Sequence, residues 1–147
     1  MKTKGILHNE LAKAIAKVGH GDMIVIADRG FPFPRHDMTK CIDVSVGRGI
    51  PCVVDVLKTV LEELEIEKII IADETKTVSP EIYKKFKEVI DPLKNKGNDI
   101  VEENIPHPEF KDMVLNGSLE RKEMKVFVKS GEFTPYGNII LISGVDF

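Results

Sequence analysis

The sequence predicts an α/β protein: a three-layer α/β/α sandwich on a mostly parallel sheet, as a single domain spanning residues 1–147. Two observations predict it. Short, continuous apolar runs such as Met23-Ile24-Val25-Ile26-Ala27 read as strands buried on both faces. They alternate with segments whose apolar residues recur at helical spacing, the pattern of helices covering both sides of a sheet. At 147 residues, with 42% apolar and 31% charged side chains, the chain is long enough for one sizeable core, and disorder fits poorly.

The first helix is expected over residues 10–18. Asn9 is its N-cap, Leu11, Ala14, Ile15 and Val18 form the buried stripe, and Gly19 is the stop. The run 23–27 is the first strand, bounded by Gly21-Asp22 and Asp28-Arg29-Gly30. Phe31-Pro32-Phe33-Pro34 cannot be helical. Ile42, Val44 and Val46 alternate with Asp43 and Ser45, the period of a second strand. Pro51 opens a helix to about residue 64, with Val54, Leu57, Val60, Leu61 and Leu64 inward.

Residues 68–73 form another apolar strand. Ser79-Pro80-Glu81 then signals a helix start, an N-cap followed by a first-turn proline and acid. That helix carries Ile82, Phe86, Val89 and Ile90 and is expected to stop before Pro92. A strand over 99–103, a short helix over 107–115 and a turn at Asn116-Gly117-Ser118 follow. Strands over 124–129 and 138–143 close the chain, joined by the tight segment 130–137.

Several function classes lack support. The net charge of −3 and the interleaving of Lys58, Glu62, Glu63, Glu65, Glu67 and Lys68 read as a solvated helix face. They do not resemble a nucleic-acid footprint. No apolar run is long enough to span a bilayer, and no signal-peptide core follows Lys2 and Lys4. Cys41 and Cys52 lack CxxC spacing, so a cytoplasmic protein with two free thiols is expected. Phosphate loops, a nucleophile elbow and zinc-ligand spacings are absent, which leaves a nucleotide-binding domain without its motif.

The remaining chemistry lies in polar residues at strand ends, where α/β proteins place their sites. His20, between two glycines, is either a turn histidine bonded to a helix end or an acid–base group suited to neutral pH. Asp28 either caps a turn through its own backbone or grips hydroxyl groups. His107 reads as a helix-start residue or a ligand-binding one, whereas His8 and His36 read as surface residues. Tyr136-Gly137-Asn138 sets a phenol and an amide side by side, with a glycine permitting close backbone approach. Phe31 and Phe33 either stack on a sugar face or pack. His20 and Asp28 flank one strand, so they share a pocket only if the chain folds back or two subunits combine.

Taken in order, these residues resemble the D-ribose pyranase family. The pattern is Gly19-His20-Gly21-Asp22, a strand ending at Asp28, Gly30-Phe31-Pro32-Phe33-Pro34 and Ile42-Asp43. It continues with Gly49-Ile50-Pro51, His107 with Phe110, Ser130-Gly131-Glu132, Pro135 to Leu141, and Gly144-Val145-Asp146-Phe147. The related L-fucose mutarotases share Gly-His-Gly-Asp and Tyr-Gly-Asn but lack the Pro-rich loop, so residues 31–34 favour the ribose branch. The resemblance implies pyranose–furanose interconversion of D-ribose by acid–base ring opening, without cofactor or metal, supplying ribofuranose for phosphorylation.

It further implies His20 as proton donor, with Asp28, His107, Tyr136, Gly137 and Asn138 binding substrate. The sites would lie at subunit boundaries of a homo-oligomer, typically a homodecamer. Segments 35–41 and 116–124 look longer than the family pattern, and the first borders the expected pocket. A fucose-type mutarotase and a non-catalytic sugar-binding module are the alternatives.

Overall fold

Apolar runs dominate the centre of the sheet because a strand covered on both faces has no polar side. The computed structural model describes residues 1–35, 39–94, 97, 99–117 and 124–147, with residues 124 and 125 as backbone only. His36, with the rest of 36–38 in the first longer segment and 118–123 in the second, lies outside the described residues. Strands β1 (Met23–Ala27) and β6 (Ile139–Ser143) are buried at every position. With β2 (Lys40–Asp43), β3 (Ile66–Ala72), β4 (Val101–Ile105) and β5 (Met124–Lys129) they form one sheet, in the order β2-β5-β1-β6-β3-β4. The pairs β2–β5, β5–β1 and β3–β4 are parallel, and β6 runs antiparallel to both of its neighbours.

Alternate strand residues feed two cores, as period-two geometry requires. Ile24, Ile26, Ile69, Ile71, Ile139 and Leu141 face α1 (Asn9–Ile15), α2 (Val53–Leu61) and α4 (Pro80–Lys94). Val25, Ala27, Ile70, Ile140 and Phe127 face the other way, against Phe31 and the Phe110 and Val114 side chains of α5 (His107–Asn116). The expected α/β/α sandwich is thus the observed architecture. A short helix, α3 (Asp73–Thr77), was not predicted.

Several boundaries depart from expectation. The α1 cap is His8, whose Nδ1 accepts the Leu11 N–H at 3.3 Å, while Asn9 is already helical. The helix ends at Ile15, and residues 17 and 18 continue in tighter turns to Gly19. β2 stops at Asp43: Val46 is 87% exposed, in a turn closed by the Gly47–Ile50 bridge. α2 begins at Val53, two residues after Pro51, because Asp55 reaches back to the Cys52 N–H at 3.2 Å and sets the cap there. It ends at Leu61, so Glu67 and Lys68 lie on β3 and not on a helix face. α4 runs through Pro92; the N–H missing there would have bonded the Glu88 carbonyl, on an exposed turn of the helix. β4 sits two residues later than expected, registered Lys68 to Val101 and Ala72 to Ile105.

Candidate active site

The carboxyl ends of the parallel strands β1, β3 and β4 and the start of the antiparallel β6 meet at one end of the sheet. Asp28 follows β1, α3 follows β3, His107 follows β4 one residue later, and Asn138 precedes β6. Two adjoining cavities open there. One, of about 210 Å³, is lined by Asp28, Phe31, His107, Lys111, Tyr136 and Asn138 among others. The other, of about 270 Å³, shares Asp28 and Pro135 and extends past Arg29, Glu132 and Phe133.

Asp28 is the shared wall. Its Oδ1 accepts the Phe31 N–H at 2.9 Å, closing the turn that starts the Pro-rich loop. Its Oδ2 accepts the Asn138 side-chain N–H at 2.8 Å, and the Asp28 N–H donates to Asn138 Oδ1 at 2.8 Å. Asp28 therefore caps the turn, as one of its two readings expects, and it also lines both cavities. Burial pushes the Asp28 carboxyl above its ordinary value, and the Asn138 amide and the Phe31 backbone N–H hold it back. Behind it, Lys129 is buried beside Ala27 on β5, with its ammonium 4.0 Å from the Phe33 ring centroid. Burial, followed by the nearby Arg29, lowers the Lys129 pKa.

His107 opens α5, and its backbone N–H donates to Glu74 Oε2 at 2.7 Å. Its ring meets Tyr136 edge-on at 4.8 Å and stacks near Phe110. His107 Nδ1 is buried and has no hydrogen-bond partner among the described residues. A proton there would bury an unpaired N–H, so the neutral ring favours carrying its proton on Nε2.

Tyr136 has a left-handed backbone, φ 58°, which costs a non-glycine residue about 1–2 kcal/mol. Two buried hydroxyls hold it: Thr75 Oγ1 donates to the Tyr136 carbonyl at 2.7 Å, and Ser79 Oγ to the Pro135 carbonyl at 2.6 Å. Gly137 packs so closely that a Cβ there would lie 3.0 Å from the Thr134 carbonyl.

The structure thus brings together Asp28, His107, Tyr136, Gly137 and Asn138, and it leaves His20 out. His20 precedes β1 and Asp28 follows it, with roughly 17 Å of strand between them. The His20 side chain is 59% exposed and its Nε2 lies 2.9 Å from Glu67 Oε2. Lys111 was not anticipated, although it stands four residues after His107 on one helix face, the spacing that brings side chains together. Thr75 and Ser79 reach the site through carbonyls distant in sequence; Thr75 has no sequence signal, and Ser79 reads only as a helix cap.

Comparison with known proteins places these residues in context. The family model of the RbsD / FucU transport proteins matches residues 1–146. A D-ribose pyranase of Clostridium perfringens (strain SM101 / Type A) is 40% identical over 147 residues, the whole of both chains. One of Geobacillus thermodenitrificans is also 40% identical, over all of this chain and 99% of its own. Among solved structures, Bacillus subtilis RbsD complexed with D-ribose matches with a TM-score of 0.83 and 38% identity, covering all of both chains. The Streptococcus pneumoniae fucose mutarotase in complex with L-fucose matches over both full chains with a TM-score of 0.70. At 21% identity, that likeness shows the fold alone.

Proposed function

The chain belongs to the RbsD / FucU transport protein family, and from that membership we propose that it interconverts the pyranose and furanose forms of D-ribose. The observation that carries the reading is the polar set around one small cavity: a clamped carboxylate, a half-buried imidazole, a phenol and an ammonium. Such a set suits a polyol, whose hydroxyls both donate and accept. The ribose-bound relative, similar over its full length, supports the sugar.

The chemistry needs only proton transfers. The anomeric hydroxyl of the six-membered ring loses its proton, the bond from C1 to the ring oxygen breaks, and that oxygen takes up a proton. The open aldehyde is then attacked by the hydroxyl one carbon nearer, which gives up its proton as the five-membered ring closes, while the aldehyde oxygen takes up a proton to become the new anomeric hydroxyl. Asp28, fixed by Phe31 and Asn138, accepts hydroxyl protons in hydrogen bonds through its remaining lone pairs. His107 offers a ring N–H, and Lys111, Tyr136 and Asn138 complete the cage around the sugar, with Gly137 keeping the backbone close. His20 moves the proton, a role worth on the order of 10²–10⁴ in rate.

Since roughly 17 Å of strand separates His20 from the cage of its own chain, a neighbouring copy supplies it. The proposal therefore includes a homo-oligomer, a decamer by the family resemblance, with sites at subunit boundaries. Among the described residues no helix is long and apolar enough to cross a membrane, and the proposal includes action in the cytoplasm.

The test is NMR exchange spectroscopy of D-ribose at equilibrium, with catalytic protein and with L-fucose alongside. Faster pyranose–furanose exchange of ribose, lost in His20→Ala, is expected. Acceleration for fucose alone would transfer the protein to mutarotation. Ribose binding without acceleration would make it a sugar-binding module.

A further inference from the structure

The register of β3 against β6 slips at a single point. Ile66 faces Ser143 and Lys68 faces Ile142, so Glu67 is the extra residue of a β-bulge. A bulge takes its extra side chain out of the regular alternation and re-aims it, and bulges of this kind occur beside functional groups. Here the re-aimed carboxylate of Glu67 lies 2.9 Å from His20 Nε2. Gly144 makes room for the distortion: a Cβ there would stand 3.2 Å from the Glu67 nitrogen and 3.3 Å from the Ile66 carbonyl carbon. The Gly144 N–H donates to the Glu65 carbonyl at 2.9 Å, fastening the other side.

The turn that presents His20 is fixed as firmly. The Gly19 N–H donates to Asp22 Oδ2 at 2.7 Å, and the Gly21 N–H to the Ser143 carbonyl at 2.9 Å. Ser143 Oγ accepts the Asp22 N–H at 3.0 Å and donates to the Gly19 carbonyl. An exposed histidine between two glycines is ordinarily free to swing. This one is held from its backbone by β6 and from its ring by β3.

An ion pair this open to solvent adds little to stability, so the bulge and its glycine are poorly explained as scaffolding. We propose that Glu67 is a positioning residue for His20. It accepts the hydrogen bond from Nε2–H, which fixes the tautomer of the neutral ring and leaves Nδ1 as the atom that takes and returns the sugar's proton. The inference rests on the reading of His20 as the acid–base group.

The experiment is Glu67→Ala in the full-length, assembled protein, with kcat and KM for ribose exchange and the ¹⁵N shifts of the His20 ring. The expected result is a kcat lower by roughly 10- to 100-fold, the size of effect found for carboxylates that orient metal-bound histidines. KM stays nearly unchanged, and the ring moves from one tautomer toward a mixture. Gly144→Ala presses on the bulge backbone, meeting the Glu67 side chain only at its Cβ, 3.4 Å away, and leaves both functional groups in place; it should lower kcat in the same direction by a smaller factor. Unchanged kcat in both variants, a change confined to KM, or lower kcat with unmoved ring shifts would each overturn the proposal. His20→Ala separates the two levels. Full activity in that variant removes the underlying reading, whereas an inactive His20→Ala beside a fully active Glu67→Ala removes only the role of Glu67.

Discussion

Replacing Thr75 by Val tests how the cage is held open. The side chain is fully buried and its hydroxyl donates to the Tyr136 carbonyl at 2.7 Å. Valine keeps the shape and deletes the donor. Tyr136 then loses one of the two hydroxyl contacts that hold its segment in the left-handed conformation, φ 58°. A hydrogen bond contributes about 1 kcal/mol net, and stranding a buried carbonyl raises the loss to about 1–3 kcal/mol. For a chain of this size the melting temperature should fall by about 3–9 °C at fixed protein concentration.

The binding consequence follows from population. If the loop leaves its competent conformation, the apparent Kd for D-ribose rises in proportion, about tenfold for each 1.4 kcal/mol. The assays are thermal unfolding and calorimetric titration with ribose. Thr75→Ser, which retains the hydroxyl, should keep wild-type affinity. A Val variant that melts and binds like wild type would refute the claim that this hydroxyl holds Tyr136.

Three further outcomes are expected. Asp28→Asn sets an amide NH₂ against either the Phe31 N–H or the Asn138 amide, both donors, and should slow ribose exchange at least about tenfold. Because the folded state raises the Asp28 pKa, ionising it costs stability as pH rises past 3.8; urea titrations across that range should show a flatter slope in the variant. Burial pulls the Glu102 pKa up, but Lys87, Tyr83 and Asn104 together bring it down from 4.5 to about 2. The stability it contributes, at most about 3 kcal/mol, is present above pH 4.5 and lost as pH falls toward 2. Glu102→Gln should flatten that acid limb, and equal slopes in wild type and variant would count against the network. Gly131→Ala places a Cβ 2.5 Å from the Gly47 carbonyl and 2.7 Å from the Ile50 nitrogen. The expected loss is about 3 kcal/mol by denaturant unfolding, and wild-type stability would show that the 47–50 turn yields freely.

The elements visible in the sequence were those whose burial is uniform. Residues 23–27 and 139–143 are apolar throughout because both faces of the sheet are covered. Segment 101–105, VEENI, is an edge strand; its Glu102 and Asn104 are spent on α4 and α3 partners, so no apolar run marks its ends. α3, with sequence DETKT, has no apolar stripe and is fastened by tertiary bonds from Thr75 and Glu74.

The cage followed the same rule. Asp28, His107 and Asn138 stand at strand ends, where polar residues next to apolar runs are conspicuous. Glu67 was indistinguishable from its acidic neighbours, since a bulge is a relation between two strands and leaves no trace in one. The separation of His20 from Asp28 was readable, because five strand residues have a known length.

The antiparallel strand β6 has a consequence for how this molecule can vary. Asn138, just before it, clamps Asp28, and Ser143, its last residue, ties down the His20 turn. The strand is buried at every position and bonded along both edges, so it behaves as a gauge block with chemistry fastened to each end. Loops at either end can drift with little effect on the other. A one-residue insertion within β6 would instead invert its faces and misplace both fastenings together. If the proposed function holds, the two half-sites share a single mechanical datum, and mutational tolerance should collapse along residues 138–143 while remaining broad in the loops on either side.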